Sequence, residues 1–296
     1  MNTSVNDNAL TTIPIAAAIE GDGKRAYLPH PFFQNSLFLC TRLRRPDEYR
    51  KRSVTVEVTN RNGDTMTVRS AQTVCASPDM GVFLATVALI QQHGFHNLVD
   101  SVTGEVTGRV RSVFPLRELY DLTGMGRSSA RERLLTSLGV LGSVSVTVKY
   151  GLTAENFERH KLKQGFRVTS FWDLDIIPRK GRKGSIVEIY PARFLIPHAH
   201  SLWADAELCN ALRSDTARAV FWSLICREHY KGTVQDWAAL LGTRREGRPW
   251  EWYNRQLLPA LDELAKIGYT VRHDADAIMV RRPDSRRSIL VPSSAC

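Results

Sequence analysis

Two stretches of this 296-residue chain gather side chains that can read a nucleic-acid duplex. In TGMGRSSARERLLTSLGVLG at 123–142, a glycine-rich turn leads into Arg127, Ser128, Ser129, Glu132 and Arg133 on one face of a predicted helix, with Arg131 better placed for phosphate. Ala130, Leu134, Leu138 and Leu141 recur at helical spacing on the opposite face. In TRREGRPWEWYNRQLLPALDELAKIG at 243–268, Arg244 and Arg245 stand in the turn, and Arg248, Trp252, Arg255 and Gln256 are expected to face outward. Trp250, Tyr253, Leu257, Leu261 and Leu264 form the expected inward stripe. An arginine fork can span guanine O6 and N7, and a glutamine amide can pair with adenine. These residue types at the start of a helix therefore suit base-edge recognition in a major groove. The plainer alternative is a pair of solvated polar faces.

The formal charge of +10 favours a polyanionic partner, nucleic acid first. Lys161 and Lys163, and further on Arg179, Lys180, Arg182 and Lys183, lie in polar segments that suit phosphate contacts. GRKGS at 181–185 lacks the Gly-x-x-x-x-Gly-Lys-Ser/Thr spacing of a phosphate-binding loop, and no ATPase motif stands elsewhere. The best enzymatic rival is PHAHS at 197–201, because His198 and His200 have the spacing of a metal-holding nickase strand. Such chemistry also needs a tyrosine nucleophile. No Tyr-x-x-x-Tyr helix follows, Pro197 opens a predicted interdomain linker, and Ala199 is scarcely hydrophobic. No Ser, His and Asp arrangement or carboxylate cluster stands out, so the chain is expected to be non-enzymatic, without metal or cofactor. Cys40, Cys75, Cys209, Cys226 and Cys296 include no Cys-x-x-Cys pair, which leaves reduced, mostly buried thiols in the cytoplasm rather than disulfides or zinc. The apolar run from Ile13 to Ile19 has no basic flank and stops at Glu20, so neither a signal peptide nor a membrane span is expected.

The elements around the two basic helices repeat. VTVEV at 54–58 and MTVRS at 66–70 flank a polar turn and predict a hairpin. Helical spacing runs from Asp79 to Gln92, with His93-Gly94 as the stop. PLRELYDLTG at 115–124 predicts a short helix with Pro115 at its first position and Gly124 after its end. Ser129 and Glu132 have capping-box spacing for the helix that follows. SVSVTVKYG at 143–151 and FRVTSFWDLDI at 166–176 then predict two strands joined by a basic loop. The order recurs in SDTARAVFWSLICREHY at 214–230, TVQDWAALLG at 233–242 with Thr233 and Asp236 as a capping box, the helix after Pro249, and the strands YTVRH and AIMVRR. Pro259 falls inside that last helix, where it removes a backbone donor, so a kink is expected there and a DNA contact from Lys266 is doubtful. A helix, a turn, a helix and a two-stranded hairpin, twice in one basic chain, predict an α+β fold of two tandem winged-helix (helix-turn-helix) domains.

The chain resembles the TrfA-type plasmid replication initiators, which are related in architecture to the RepE and π-type initiators. The likeness runs from about Leu28 to Arg282 and rests on NSLFLCTRLRR, the hairpin after it, PLRELYDLTGMG, SDTARAVFWSL and WEWYNRQLLPALDELAKIGY. It implies binding to double-stranded DNA with direct repeats (iterons), opening of the adjacent origin, recruitment of host helicase and initiator proteins, and a homodimer through the first domain. QNSLF at 34–38 has the outline of a sliding-clamp-binding peptide, although an apolar strand packed under the first domain is favoured. The expected organisation is a flexible tail at 1–27, a first winged-helix domain with an N-terminal hairpin at 28–200, a second at 201–285, and a tail at 286–296. A winged-helix transcriptional repressor is the alternative function, with the His-x-His nickase behind it.

Overall fold

The computed structural model describes residues 12–16, 23–29, 38, 54–59, 65–72, 74–100, 102–125, 128–149, 166–178, 184–192, 195–197, 201–241, 249–274 and 276–283. Along them the chain forms β1 (Thr12–Ala16), β2 (Arg25–Pro29), β3 (Val54–Thr59), β4 (Thr65–Ser70), α1 (Gly81–His93), β5 (Phe95–Val99) and β6 (Val106–Pro115). Next come α2 (Leu116–Thr123), α3 (Ser128–Gly142), β7 (Ser145–Lys149), β8 (Phe166–Ser170), β9 (Trp172–Ile177), β10 (Ile186–Pro191), β11 (Ser201–Asp205) and α4 (Ala206–Ala211). The last group is α5 (Asp215–Leu224), β12 (His229–Gly232), α6 (Val234–Leu240), α7 (Pro249–Trp252, Tyr253–Leu257 and Leu258–Lys266 in succession), β13 (Thr270–His273) and β14 (Ile278–Arg281). Among the described residues the strands make four sheets, ordered β1-β5-β6-β10-β9, β11-β2, β3-β4-β7-β8 and β12-β14-β13.

GVFLATVALIQQH has no polar face until its last turn, and a helix apolar all round must lie inside. Residues 81–91 of α1 are accordingly all buried. The buried amide of Gln91 is satisfied by backbone on both sides: it accepts from Tyr27 N at 2.8 Å and donates to Tyr27 O at 2.7 Å and Leu195 O at 2.9 Å. Gly81 lets Asn210 of α4 come close, because a Cβ there would stand 2.0 Å from Asn210 Oδ1. The Asn210 amide also donates to Leu122 O of α2 at 3.2 Å. Around α1 a single cluster of buried side chains runs from Leu28 through Phe83, Leu138 and Trp172 to Trp222, Trp252 and Val280. Phe38 and Phe83 pack on Trp222 of α5 at ring separations of 4.9 and 6.3 Å, so the two halves of the chain share aromatic packing.

The predicted hairpin is present, with Val56 opposite Val68. Burial of Phe38 fits the packing reading of QNSLF, whose other residues lie outside those described. Several boundaries differ from expectation. The run 166–176 is two strands rather than one, because Phe171 and Trp172 are both buried and the alternation breaks between them. Phe171 N donates to Val144 O at 3.2 Å, and Ala192 N donates to Phe171 O at 2.9 Å, which places this residue between two sheets. The helix read over 214–230 ends at Leu224, and His229–Gly232 pair instead with β14. Pro115 closes β6 and caps α2 from outside rather than opening it. Residues 12–16, inside the expected N-terminal tail, pair with β5.

Candidate nucleic-acid interface

The first basic helix, α3, is set by α2 before it and by α1 beneath it. α2 buries Leu116, Leu119 and Thr123, and Gly124 ends it at φ 68°, where a side chain would be strained. α3 then buries Leu134, Ser137, Leu138 and Leu141 and leaves Arg131, Glu132, Arg133, Leu135 and Thr136 exposed. Ser137 Oγ donates to Asp79 Oδ1 at 2.6 Å, while Asp79 Oδ2 accepts from Cys75 N at 2.8 Å. This buried carboxylate ties α3 to the turn that leads into α1. Arg131 lies over the Tyr120 ring at 5.2 Å, which draws its charge back onto α2 and leaves Arg133 as the forward cation among the described residues of that face. The helix starts at Ser128, one residue before the cap that Ser129 and Glu132 would have made. Behind α3, β7 and β8 pair from Ser145↔Ser170 to Lys149↔Phe166, and β4 extends their sheet.

The second basic helix follows α6, whose capping box is the one expected. Thr233 Oγ1 accepts from Asp236 N at 3.2 Å and Asp236 Oδ2 accepts from Thr233 N at 2.8 Å. α7 starts at Pro249 as predicted, but its phase is not the expected one. Trp252, placed on the outward face by sequence, is 2% exposed, and Trp250, placed inward, is 65% exposed. The cause is a π turn. Leu258 N bonds Tyr253 O, five residues back, and the turn sits just before Pro259, which has no N–H and whose ring would collide with the carbonyl of residue 255 in a regular helix. One extra residue in the turn rotates everything upstream by about 100°. The residue aligned with Leu257 is therefore Trp252, not Tyr253.

The outer surface of α7 presents Arg255, with 75% of its side chain exposed and its Nη1 3.0 Å from Glu251 Oε1. Gln256 is half-buried beside an open cleft of about 340 Å³ that it shares with Arg213, Ser214, Thr216 and Pro259. At the floor of that cleft Glu263 Oε2 accepts from Arg213 N and Ser214 N at 2.8 and 3.2 Å, a carboxylate at the start of α5. The β13–β14 hairpin leans on α7 through Tyr253 Oη and His273 Nδ1, 3.3 Å apart. Its turn is not basic: Asp274 and Asp276 are exposed, and Lys231 pairs with Asp274 at 2.5 Å, holding that carboxyl below the ordinary aspartate range.

The two faces thus bring together Arg131, Glu132 and Arg133 on one helix and Arg255 and Gln256 on the other. Ser128 and Ser129 fall in the first turn of α3. Arg127, Lys161, Lys163, Arg179, Lys180, Arg182, Lys183, Arg244, Arg245 and Arg248 lie outside the described residues, as do His198 and His200. Trp250, expected on the inward stripe, and Arg272 of β13 are exposed as well; the sequence signal for the place of Trp250 is Pro259. Among the described residues no group of three His, Cys, Asp or Glu side chains could hold a metal, and no helix is long and apolar enough to cross a membrane. Cys75 and Cys209 are buried and Cys226 is partly so; burial pushes the Cys209 thiol up to about 12, which makes it a poor nucleophile.

Comparison with solved structures places the fold. Domains 2 and 3 of RctB superpose on 86% of this chain and 97% of their own length, with a TM-score of 0.53 and 12% identity. A further crystal structure of RctB domains 2–3 covers 81% of this chain and 94% of its own at a TM-score of 0.48 and 14% identity. The Pi initiator protein, solved in complex with iteron DNA, covers 69% and 88% at a TM-score of 0.40 and 14% identity. The chain therefore has a mixed helix-and-sheet fold similar to that of domains 2 and 3 of RctB. No protein-family model matches the chain. No curated protein matches it by sequence either.

Proposed function

We propose that the protein is a non-enzymatic replication initiator that binds directly repeated origin DNA, presenting α3 and α7 to successive major grooves. The observation that carries this reading is the repeated arrangement: a short helix, a longer helix with exposed arginine, and a pair of antiparallel strands, twice on one core. In the second half the order α5, β12, α6, α7, β13, β14 and the sheet order β12-β14-β13 support a winged helix. In the first half α2, α3, β7 and β8 support another, with β3 and β4 added to its sheet. The likeness to RctB domains 2 and 3 supports the same architecture over most of the chain. Origin opening, recruitment of host helicase and initiator, contact with a sliding clamp, a homodimer through the first half and a cytoplasmic location follow from this reading as further parts of the proposal.

A footprint over the DNA flanking the gene tests it. Protected direct repeats about two helical turns apart, each turn about 10 bp, are expected; one palindrome over a promoter would favour repression instead. On the cognate repeat Arg255→Ala is expected to cost about 1–3 kcal/mol and to relax the preference at one base pair, with a much smaller loss on scrambled DNA. Equal losses on both DNAs would remove Arg255 from base reading. Cleavage of supercoiled origin DNA by the purified protein with Mg²⁺ would overturn the non-enzymatic part.

A further inference from the structure

Among the described residues Trp250 is the largest of the exposed apolar side chains, and it stands on the first turn of α7. A lone exposed apolar residue needs no explanation, but this ring is held in place. It meets Tyr253 edge to face, with centroids 5.5 Å apart and planes at 88°. The Tyr253 hydroxyl in turn reaches His273 of the β13–β14 hairpin. Helix and hairpin together thus hold an indole out into solvent, and a ring ordered in advance loses little freedom when it makes a contact. Its charged neighbours Glu251 and Arg255 pair with each other, and among the described residues the ring is the main exposed apolar feature of this end of the helix.

We propose that Trp250 is a base-reading side chain that covers the C5-methyl group of a thymine in the major groove. The inference rests on the reading of α7 as a helix that enters duplex DNA, and it adds a ligand group that no arginine or glutamine contact supplies. The first turns of such a helix reach base edges, and thymine alone among the four bases offers an apolar group there. A ring edge against that methyl removes apolar surface from water without leaving a polar group unpaired. Stacking on an unpaired base is the competing use of an exposed indole. The place of Trp250 at the helix start, where a major-groove helix reaches base edges, favours the duplex.

The test uses the full chain and a duplex carrying the footprinted repeat, with each thymine replaced in turn by uracil, which deletes only the methyl. Wild type should lose about fourfold in affinity at one or two positions per repeat, equivalent to about 0.8 kcal/mol for one methyl. Trp250→Ala should bind the thymine duplex at least as weakly as wild type binds the uracil one, and should show no further loss when that thymine is replaced. Trp250→Phe should restore part of the discrimination. Since the side chain is exposed, an unchanged thermal-unfolding midpoint is expected for both variants. Uracil replacement without effect on wild type, or with the same effect on Trp250→Ala, overturns the assignment. So does a loss confined to a single-stranded oligonucleotide of the same sequence, which would assign the ring to unpaired bases. Failure of wild type to bind any repeat-bearing duplex would instead sink the reading of α7 itself, and this assignment with it.

Discussion

α3 and α7 occupy equivalent places in the two halves of the chain but are supported differently. α3 runs unbroken for 15 residues and is tied to the centre by a buried polar contact, Ser137 to Asp79. α7 is interrupted by a π turn and is seated by Trp252, Leu257, Ala260, Leu261 and Leu264, all buried. A hydrogen bond to a buried carboxylate fixes direction as well as distance, whereas apolar packing tolerates small rotations. The first helix is thus fixed by a fully buried carboxylate contact added to its leucines. The second has its polar tether, Glu263 to the start of α5, at the edge of an open cleft, and its angle is adjusted by Pro259 through the extra residue in its middle.

The sharpest way to break this comparison is to remove what the halves share. Trp222 of α5 packs on Phe38 and on Phe83 of α1, and it is buried. Trp222→Ala should cost about 3–5 kcal/mol, because a large cavity opens where the halves meet. Denaturant unfolding should show one transition, and amide exchange should accelerate in α1 and α5 alike. Acceleration confined to α5, α6 and α7 would mean that the halves fold independently.

A smaller effect sharpens the difference between the helices. Asp79→Ala removes the acceptor of the Ser137 hydroxyl and of Cys75 N, and it should cost about 1–3 kcal/mol. Amide exchange should rise in α3 while α7 is spared, and, if both helices read DNA as proposed, the half-repeat assigned to α3 should lose more affinity than the one assigned to α7. Equal exchange in both helices would show that Asp79 supports the whole core rather than the angle of one helix.

What could be read from sequence was what short-range chemistry decides. The Thr233–Asp236 cap, the Gly124 stop, the hairpin at 54–70 and the inward leucines of α3 each depend on residues within a turn or two of one another. Long-range pairing decided the rest. His229–Gly232 are a strand only because β14, some fifty residues on, offers a partner, and the five-stranded sheet draws its strands from between residues 12 and 191. Phe171 splits one apparent strand because two sheets claim its two backbone groups. The exchange of Trp250 and Trp252 lies between these cases. Its cause is local, but the consequence depends on counting hydrogen bonds through a turn whose type hydrophobic periodicity does not report. Of the side chains expected to face outward, Arg131, Arg133 and Arg255 are exposed among the described residues, whereas Trp252 is buried.

The smallest expected effect distinguishes the short helices that precede α3 and α7. α2 begins after Pro115 with no side-chain cap, while α6 begins with a reciprocal box. The Thr233 backbone N–H, and then its hydroxyl, hold the Asp236 carboxyl below the ordinary aspartate value of 3.8. A folded value depressed below the unfolded one stabilises the fold fully at pH above the unfolded value, and that contribution fades as pH falls through the depressed folded value. Neutral pH therefore sees the cap intact, and only acid below the usual carboxylate range removes it. Asp100 and Asp274 are depressed as well, so global stability mixes several carboxyls and the measurement has to be local. Amide exchange at the start of α6 should accelerate in that acid range more than at the start of α2. Asp236→Asn should make α6 exchange faster at neutral pH and remove most of its extra acid response. If α2 and α6 loosen together in acid, and Asp236→Asn leaves that response unchanged, the cap is not what distinguishes them and another carboxyl controls both.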